Sequence, residues 1–289
     1  MPAFQHTPVA VFTYKKADAL KEVLKAVNAY KPARLYVVMD KSTENDREDV
    51  VAVRTLLNEF EFATIPEFIE PPQHQGILNI FDHALDHIFG KEERLIILED
   101  DTVPSPLFFD YCNVMLEKYK DDAAIGCING ANLHAVNNVE TFFTSRVSLP
   151  FWGWATWAGR WRGKPKGWAF WDEYKTKDHA ENKGDSGINR LVALFDHVRQ
   201  YPKSWDTQWA MYLLYSNQRT ILPGANLVTN KGYTDKATFA HILNSKYANQ
   251  NSFEEPFEKS FFNQETGAEK KYIDEVVKCV EEFRNRIVS

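Results

Sequence analysis

Short apolar runs alternate with longer stretches in the first 129 residues of the chain. The short runs are mostly free of charge, which is typical of strands that are buried on both faces of a parallel sheet. The longer stretches repeat apolar residues three and four positions apart, which is the spacing of helices with one buried face. The predicted strands are Pro8–Thr13, Leu35–Met39, Phe62–Ile69, Leu95–Leu98 and Ala124–Ile128, and the predicted helices are Ala17–Ala29, Glu48–Asn58, Gly76–Phe89 and Pro106–Lys118. This alternation predicts an α/β fold with a mostly parallel, Rossmann-like central sheet and helices on both of its faces.

The pattern changes after Asn129, where no single period continues. The predicted elements in this part are the helices Ile188–Gln200, Asp206–Ser216 and Ala268–Ile287 and the strands Thr220–Leu222 and Asn226–Thr229. The last of these helices carries apolar residues on one face and follows a long polar stretch. We therefore expect a single main domain over residues 1–241, divided at residue 129, and a C-terminal extension with an amphipathic helix over residues 242–289.

The composition is that of an ordinary folded protein. Hydrophobic residues make up 44% and charged residues 26% of the 289 positions, so a large core is expected. The net charge of −6 argues against binding along a nucleic-acid duplex, which needs a basic surface. Cys112, Cys127 and Cys279 show no Cys-x-x-Cys spacing, so neither a zinc knuckle nor a disulfide framework is indicated. The N-terminal residues lack the pattern of an export signal and no apolar run is long enough for a membrane span, so we expect a cytoplasmic protein.

Three acidic residues directly follow the apolar strand Leu95–Leu98, namely Glu99, Asp100 and Asp101. In open α/β sheets, ligands bind outside the carboxyl ends of the strands, which is where these acids are expected. Clustered carboxylates repel one another unless a cation lies among them. Mg²⁺ and Mn²⁺ prefer one or two protein carboxylates together with phosphate oxygens, so a metal-diphosphate is the expected ligand. The alternative is that Asp100 and Asp101 only solvate a turn before Pro104.

Two further aspartates stand at the boundaries of predicted elements. Asp40 directly follows the strand Leu35–Met39, so it is either a second ligand-binding acid at the sheet edge or a residue of a turn. Asp206 stands at the start of a predicted helix, where its carboxylate fits an N-cap. The loop Tyr14–Lys16 after the first strand lacks the Gly-x-Gly-x-x-Gly fingerprint, which argues against the usual dinucleotide site.

Four of the eight tryptophans fall within Trp152–Trp161, where no helix or strand period accounts for them. One interpretation is a second hydrophobic core, and the other is a wall that stacks on sugar rings through Trp152, Trp154 and Trp205. Tryptophan is seldom fully buried and its indole N–H needs a partner, which keeps the second interpretation open. The same segment contains four basic residues, namely Arg160, Arg162, Lys164 and Lys166. One interpretation is a patch that binds an acceptor anion or contacts a membrane surface, and the other is a solvated loop.

The acidic triplet Glu99–Asp101 resembles the DxD-type motif of nucleotide-sugar glycosyltransferases with the GT-A fold. Together with Trp152–Trp157, Ser204–Trp209 and Leu227–Asn230, it is similar to stretches that occur in this order in bacterial relatives of N-acetylglucosaminyltransferase I. The resemblance extends over residues 8–241. It implies a hexosyl- or N-acetylhexosaminyltransferase that needs Mn²⁺ or Mg²⁺ and inverts the anomeric centre. It also implies a nucleotide-diphosphate sugar as donor, with a UDP-sugar favoured, and a glycan or glycolipid acceptor in bacterial polysaccharide biosynthesis.

The resemblance assigns chemical roles to single residues. Asp101 is the expected metal ligand, and Asp206 is the expected general base, which accepts a proton from the acceptor hydroxyl. One carboxylate is sufficient for a single inverting displacement, because no covalent sugar-enzyme intermediate forms. Glu173 and Asp235 are the alternatives if Asp206 is only a cap.

The resemblance also divides the main domain into a nucleotide half, residues 1–129, and an acceptor half, residues 130–241. The loop from Asn230 to His241 is the expected lid over the donor. The expected donor-binding residues are Thr13, Lys16 or its neighbour Lys15, Asp40 at the uracil, His83 at the nucleoside, Glu99, Asp100 and Asp101. In the lid, the expected contacts with the diphosphate are Lys231 and His241, with Lys236 as an alternative.

Two other classes of function are alternatives. The first is a non-catalytic carbohydrate- or nucleotide-binding protein on a degenerate transferase scaffold, which would bind nucleotide without turnover. The second is a sugar nucleotidyltransferase, which also sets carboxylates around a metal but needs a nucleoside triphosphate and gives no reason for the tryptophan-rich segment. A transferase that acts on a glycolipid would work at the inner face of a membrane, so peripheral membrane contact belongs to the prediction.

Overall fold

The computed structural model of the protein describes residues 6–132, 138–149, 151–176, 185–199, 205–233, 252–253, 258 and 261–288. The strands are β1 (Val9–Thr13), β2 (Leu35–Met39), β3 (Pro66–Ile69), β4 (Arg94–Glu99), β5 (Thr102–Pro104), β6 (Ile125–Asn129), β7 (Thr141–Ser145), β8 (Trp154–Trp157), β9 (Arg219–Pro223), β10 (Val228–Asn230) and β11 (Gln264–Glu265). The helices are α1 (Ala17–Tyr30), α2 (Arg47–Glu59), α3 (Ile77–Phe89), α4 (Pro106–Lys118), α5 (Ala158–Arg162), α6 (Ala169–Thr176), α7 (Ser186–Val198), α8 (Trp205–Tyr215) and α9 (Glu269–Val288).

The acidic strand β4 lies inside a nine-stranded sheet with the order β11-β7-β9-β6-β8-β4-β1-β2-β3. The neighbours β3, β2, β1 and β4 are all parallel, as are the pairs β6 with β9 and β7 with β11. The strand β8 pairs antiparallel with β4 on one side and with β6 on the other, and β7 pairs antiparallel with β9. A separate two-stranded antiparallel sheet consists of β5 and β10. The predicted α/β fold with a mostly parallel central sheet is confirmed.

Alternate side chains of the central strands enter two different cores, one on each face of the sheet. Val9 and Val11 of β1 pack with residues of α1 and α4, whereas Ala10 and Phe12 pack with residues of α3 and α8. All five residues of β1 are buried. Helices therefore cover both faces, which explains why the strands are free of the polar alternation that a half-exposed sheet shows.

Two predicted strands differ from the observed ones. The run Phe62–Ile69 contains only the edge strand Pro66–Ile69, which begins at a proline that has no N–H to donate to a neighbour. The run Asn226–Thr229 contributes to β10 only from Val228, because the Asn226 amide donates to the Val228 carbonyl oxygen at 2.8 Å and this local bond competes with strand pairing. The strands β5, β7, β8 and β11 and the helices α5 and α6 are additions to the predicted elements.

The tryptophans of the acceptor half form part of a core rather than a wall. Trp154 is 1% exposed and Trp205 is 5% exposed, and their rings stack with centroids 5.2 Å apart. Trp161 and Trp209 contact the ring of Trp154 at 6.4 and 5.7 Å. The interpretation of Trp154 and Trp205 as acceptor-binding residues is therefore corrected, because neither ring has a face open to a sugar. Trp152 differs from them, because its ring is only half-buried.

The basic residues beside these tryptophans contact other parts of the chain, and of the four only Lys164 is buried, whereas Arg162 and Lys166 stay exposed to solvent. Their partners are the carbonyl oxygens of Asp122 and Ile125 for Arg160, the carbonyl oxygen of Phe89 for Arg162, the carboxylate of Asp82 for Lys164 and the carboxylate of Asp86 for Lys166. The Lys164 side chain is 3% exposed, and its ammonium also donates to the Gln208 side chain at 2.9 Å. Lys164 thereby joins α3 to α8. A role of these charges at a membrane or with an acceptor anion stays a prediction.

The C-terminal helix α9 packs against α7 and β7. Tyr272 at its start is fully buried, and its phenol donates to the Leu149 carbonyl oxygen at 3.1 Å and accepts from the Leu149 N–H at 3.3 Å. The predicted domain boundary at residue 241 lies outside the described residues. In the part of the chain that the structure describes, none of the helices combines the length and the apolar character needed to cross a bilayer.

We expect Trp154→Ala to lower the free energy of unfolding by about 3–5 kcal/mol, because it removes a buried ring from among other aromatic rings. Trp152→Ala is the matched control, and it should cost much less because that ring is only half-buried. Chemical denaturation of both variants checks this. A small loss of stability in Trp154→Ala would contradict the core assignment.

Candidate active site

The candidate site lies at the edge of the sheet where β1, β2 and β4 end. These strands are parallel neighbours, and Phe12 of β1 is in register with Glu99 of β4. Their carboxyl ends therefore meet at one edge, which brings together Thr13, Asp40 and the acidic triplet as the sequence predicts.

A tight turn holds the acidic triplet at the end of β4. The Thr102 hydroxyl accepts the N–H of Glu99 at 2.8 Å and donates to the carbonyl oxygen of Glu99 at 3.0 Å, which closes the turn from β4 to β5. The Asp100 carboxylate accepts the backbone N–H of Tyr14 at 2.9 Å, and the Thr13 hydroxyl lies 3.4 Å from the same oxygen. Asp100 thus fastens the loop after β1 to the acidic turn, which is a structural role beyond solvating a turn.

Lys16 supplies a positive charge to this turn. Its ammonium contacts the Asp101 carboxylate and lies 3.9 Å from Asp100. The Lys16 side chain is 18% exposed and the Asp101 side chain 13%, so water screens the pair only partly. Burial by itself lowers the pKa of Lys16, but the charges of Asp101 and Asp100 outweigh it and leave the pKa raised. Lys16 is therefore protonated at neutral pH. Burial raises the pKa of Asp100 to about 6 in spite of Lys16.

Asp206 belongs to the same site although it is distant in sequence. Burial raises the pKa of Glu99 well above its usual value, and the negative charges of Asp101 and Asp206 raise it further. The packing agrees with this: the ring of Trp205, the residue before Asp206, stacks on Phe81, and Phe81 stacks on Phe12, which is in register with Glu99. Its predicted position as an N-cap is wrong, because α8 already includes Trp205 and the Asp206 carboxylate accepts the N–H of the next residue, Thr207, at 2.7 Å.

The residues of the site fit a divalent cation only in combination with a further ligand. Within the part of the chain that the structure describes, the acidic groups of Glu99, Asp100, Asp101 and Asp206 act on one another and outnumber the ammonium of Lys16 beside them. Among the described residues, no group of three or more His, Cys, Asp or Glu side chains could hold a metal. A cation here would take one carboxylate and complete its coordination with phosphate and water, which is how Mg²⁺ is usually held. Asp101 suits this role because its carboxylate is paired with a flexible side chain, whereas that of Asp100 is bonded to backbone.

The stem of the expected lid rests directly on Asp101. The N–H of Lys231 donates to the Asp101 carbonyl oxygen at 2.7 Å, and the N–H of Gly232 donates to the Asn230 side chain at 2.7 Å. A Cβ atom on Gly232 would lie 2.0 Å from an Asp101 carboxylate oxygen, so any larger residue here would displace that carboxylate. The Lys231 side chain is exposed. His241, Lys236 and Asp235 lie outside the described residues.

Asp40 has the bonding pattern of a turn residue. Its carboxylate accepts the N–H groups of Lys41 at 2.9 Å, Gln75 at 3.0 Å and Gly76 at 2.8 Å, and the His74 ring lies 3.1 Å away. These bonds tie the loop before α3 to the end of β2. The contact of Asp40 with a uracil stays a prediction, and most of the carboxylate's acceptor capacity is already used.

The remaining candidates are His83, Glu173 and Trp152, and no contact joins them to the acidic turn among the described residues. His83 is exposed on α3, and its contact with a nucleoside stays a prediction. Glu173 is exposed on α6, where it accepts a bond from the Tyr215 phenol at 3.0 Å. The half-buried Trp152 meets the ring of Tyr233, next to the lid stem, edge-on with centroids 5.9 Å apart. It is the one predicted acceptor residue of the three that the structure leaves partly open.

Sequence reasoning missed two side chains near the donor edge. The Tyr14 phenol donates to Asp46 at 2.6 Å, and the His74 ring lies 5.8 Å from the Tyr14 ring. Tyr14 directly follows β1, so its position at the end of a buried strand was the available signal. His74 stands in a loop without any periodic pattern, and only the fold brings it to Asp40.

We expect Glu99→Gln to stabilise the protein at pH 7 and to raise Tm by about 2–4 °C, the effect of roughly 1 kcal/mol in a domain of similar size. A raised pKa means that the folded state disfavours the ionised carboxyl, and this cost is present above the usual pKa of glutamate and absent below it. The gain should therefore vanish near pH ~4, where the carboxyl is protonated in both states. Thermal melts at both pH values check this.

Glu67→Gln is the control with the opposite sign. Bonds from Lys91 and His87 hold the pKa of the exposed Glu67 below its usual value, so its replacement should not stabilise the protein at pH 7. An equal gain in Tm for both variants would indicate a general effect of net charge and would contradict the local repulsion at Glu99.

Several solved structures are similar to this chain at low identity. The mannosyltransferase PcManGT from Pyrobaculum calidifontis, in complex with GDP-Man and Mn²⁺, is 16% identical over 73% of this chain and 69% of its own, with a TM-score of 0.40. A UDP-glucose pyrophosphorylase complexed with UDP-glucose is 9% identical over 75% of this chain and 90% of its own, with a TM-score of 0.37. Glucosyl-3-phosphoglycerate synthase from Mycobacterium tuberculosis is 11% identical over 53% of this chain and 56% of its own, with a TM-score of 0.34. Similarities as low as these carry no information about the activity of this chain.

The sequence itself is more informative. No curated protein matches the chain at a significant level. The GNT-I family model matches residues 1–193, which is more than half of the 289 residues and includes the acidic triplet and the tryptophan-rich segment. The chain therefore belongs to the GNT-I family of nucleotide-sugar glycosyltransferases with the GT-A fold.

Proposed function

We propose that this protein is a metal-dependent, inverting hexosyl- or N-acetylhexosaminyltransferase. Its donor is a nucleotide-diphosphate sugar, with a UDP-sugar favoured, and its acceptor is a glycan or glycolipid. One observation carries the proposal: the ring of Trp205, the residue before Asp206, stacks on Phe81, and Phe81 stacks on Phe12, which is in register with Glu99 of the acidic triplet. A metal-binding carboxylate and a proton-accepting carboxylate at one site are what such a displacement needs.

Asp101 is the proposed metal ligand. When bound, Mn²⁺ or Mg²⁺ neutralises negative charge on the departing nucleotide diphosphate. Asp101 stands at the carboxyl end of the central strand, with its backbone held by Lys231 and its carboxylate turned towards Lys16. Thr13, Lys16 and Asp100 form the adjoining wall, on which the donor's nucleotide is proposed to lie.

Asp206 is the proposed general base. It accepts the proton of the acceptor hydroxyl while the oxygen of that hydroxyl bonds to the anomeric carbon. The bond from that carbon to the diphosphate breaks in the same displacement, so the configuration inverts. Asp206 keeps its bond to the Thr207 N–H through one oxygen, which orients the carboxylate. Trp152 beside Tyr233 is the remaining aromatic candidate for contact with the acceptor.

The surrounding assignments follow from the same proposal. The nucleotide half is residues 1–129, the acceptor half is residues 130–241, and the loop that continues from Gly232 acts as a lid through Lys231 and His241. Work on bacterial polysaccharide, a cytoplasmic location and contact with a membrane surface belong to the proposal as well.

We expect Asp101→Asn to abolish the contribution of Mn²⁺ to nucleotide affinity while the fold stays intact. An amide is a poor ligand for a hard cation compared with a carboxylate, and a partly exposed side chain contributes little to stability. Calorimetric titration of UDP with and without Mn²⁺ measures this. Asp18→Asn, an exposed aspartate on α1, is the control and should behave as wild type. Retained Mn²⁺-dependent affinity in Asp101→Asn would overturn the assignment.

We expect Asp206→Asn to lower the rate of Mn²⁺-dependent sugar release from a nucleotide sugar by about 10²–10⁴-fold with donor affinity retained. Asparagine keeps an oxygen for the Thr207 N–H but accepts no proton, so stability should hold. Turnover and donor affinity are measured across a panel of nucleotide sugars. Glu173→Gln, the alternative base, should keep full activity.

Other outcomes of these measurements, extended to nucleoside triphosphates, would identify the rival classes of function. Turnover of a nucleoside triphosphate with a sugar phosphate would instead identify a nucleotidyltransferase. Nucleotide binding without any turnover would identify a binding protein. Full activity in Asp206→Asn, or a large loss in Glu173→Gln, would move the base elsewhere.

A further inference from the structure

Lys16 has a fixed backbone and a side chain that is directed into the acidic turn. It precedes the first residue of α1 in a non-helical conformation, and its carbonyl oxygen accepts the N–H of Leu20 at 2.9 Å. Its own N–H and that of Tyr14 bond to the Asp100 carboxylate. These backbone bonds hold the loop in place, so the ammonium is delivered to Asp101 by the fold.

The contact between Lys16 and Asp101 occupies the carboxylate that is proposed to bind the metal. Both side chains are largely shielded from water, so the attraction between them is stronger than that of a surface ion pair. A divalent cation that binds Asp101 must first displace this ammonium. The second carboxylate of the turn, Asp100, lies 3.9 Å from the ammonium, so Lys16 has another partner when it leaves Asp101.

We propose that Lys16 is an internal counter-cation that keeps Asp101 closed to free divalent cations, so that a cation binds there only together with the nucleotide diphosphate. This inference rests on the proposed function, because it concerns the same metal site. It adds that the donor and the metal enter interdependently, and it assigns this dependence to one residue of the chain.

The ligands of the site make the nucleotide necessary. A free cation would compete with the ammonium of Lys16 for Asp101 and would obtain at most two such ligands, since no group of three acidic, histidine or cysteine ligands exists among the described residues. A diphosphate adds two further oxygen ligands and additional negative charge. It also offers the ammonium of Lys16 a second anionic partner beside Asp100. Displacement of Lys16 is therefore unfavourable with metal alone and favourable with metal and nucleotide together.

The experiment measures binding of Mn²⁺ alone to the full chain, from the loss of the paramagnetic signal of free Mn²⁺. Lys16→Met removes the charge and keeps an unbranched side chain, and we expect it to bind Mn²⁺ at least about tenfold more tightly than wild type. Lys16→Arg keeps a positive charge and should bind Mn²⁺ as weakly as wild type. Lys15→Met is the matched control, because it removes the neighbouring lysine, which has no contact with Asp101, and it should also resemble wild type.

A second titration in the presence of UDP separates this inference from the proposed function. All four proteins should then bind Mn²⁺, and the advantage of Lys16→Met over wild type should shrink. If wild type binds Mn²⁺ alone as tightly as Lys16→Met does, or if Lys15→Met shows the same gain, the inference is overturned while the metal site stands. If none of the proteins binds Mn²⁺ even with UDP, the inference and the metal-dependent function are overturned together. Lys16→Gln, with folding checked by circular dichroism, replaces Lys16→Met should the latter not fold.

Discussion

Mutual repulsion among carboxylates at one edge of the sheet is the constraint on which the rest of this structure depends. Glu99, Asp100, Asp101 and Asp206 act on one another in a site where burial weakens their hydration, and the ammonium of Lys16 partly offsets them. The repulsion among these carboxylates opposes their clustering, so interactions elsewhere in the protein must stabilise it. Backbone bonds and aromatic packing elsewhere hold it, as is common for sites that bind charged ligands.

Aromatic packing is what brings Asp206 to this edge. Phe12 of β1 stacks on Phe81 at 3.8 Å between ring centroids, Phe81 stacks on Trp205 at 4.2 Å, and Trp205 stacks on Trp154. This column runs from the first strand to the residue before Asp206. The buried Trp154 therefore serves the site indirectly, as a support of α8, rather than through contact with a sugar. The buried bond between Lys164 and Gln208 secures the same helix from another side.

The alternation of the strands β1, β2, β4 and β6 with the helices α1 to α4 was readable from the sequence, because each of these strands is buried on both faces and the helices have a buried face. The position of the acidic triplet followed from that alternation. The strand β8 was not readable. It has only four residues, three of which are tryptophan or alanine, and it lies in a segment that shows neither the period of a strand nor that of a helix. The burial of Trp154 depends on contacts with α8, which lies some fifty residues further along the chain. The contact of Gly232 with Asp101 likewise depends on tertiary structure, and a lone glycine gives no sign of it.

The insertion of β8 between β4 and β6 has a consequence for the order in which the protein can fold. The chain passes from β4 to β6 long before β8 is synthesised, yet β8 is the strand that joins them. Until residue 157 has emerged from the ribosome, the strand that ends on the acidic triplet has β1 as its neighbour on one side and an open edge on the other. An open apolar edge is prone to pairing with other chains. Residues 1–129 therefore lack the strand that completes the acidic edge, and this edge takes its final form only when β8 is in place.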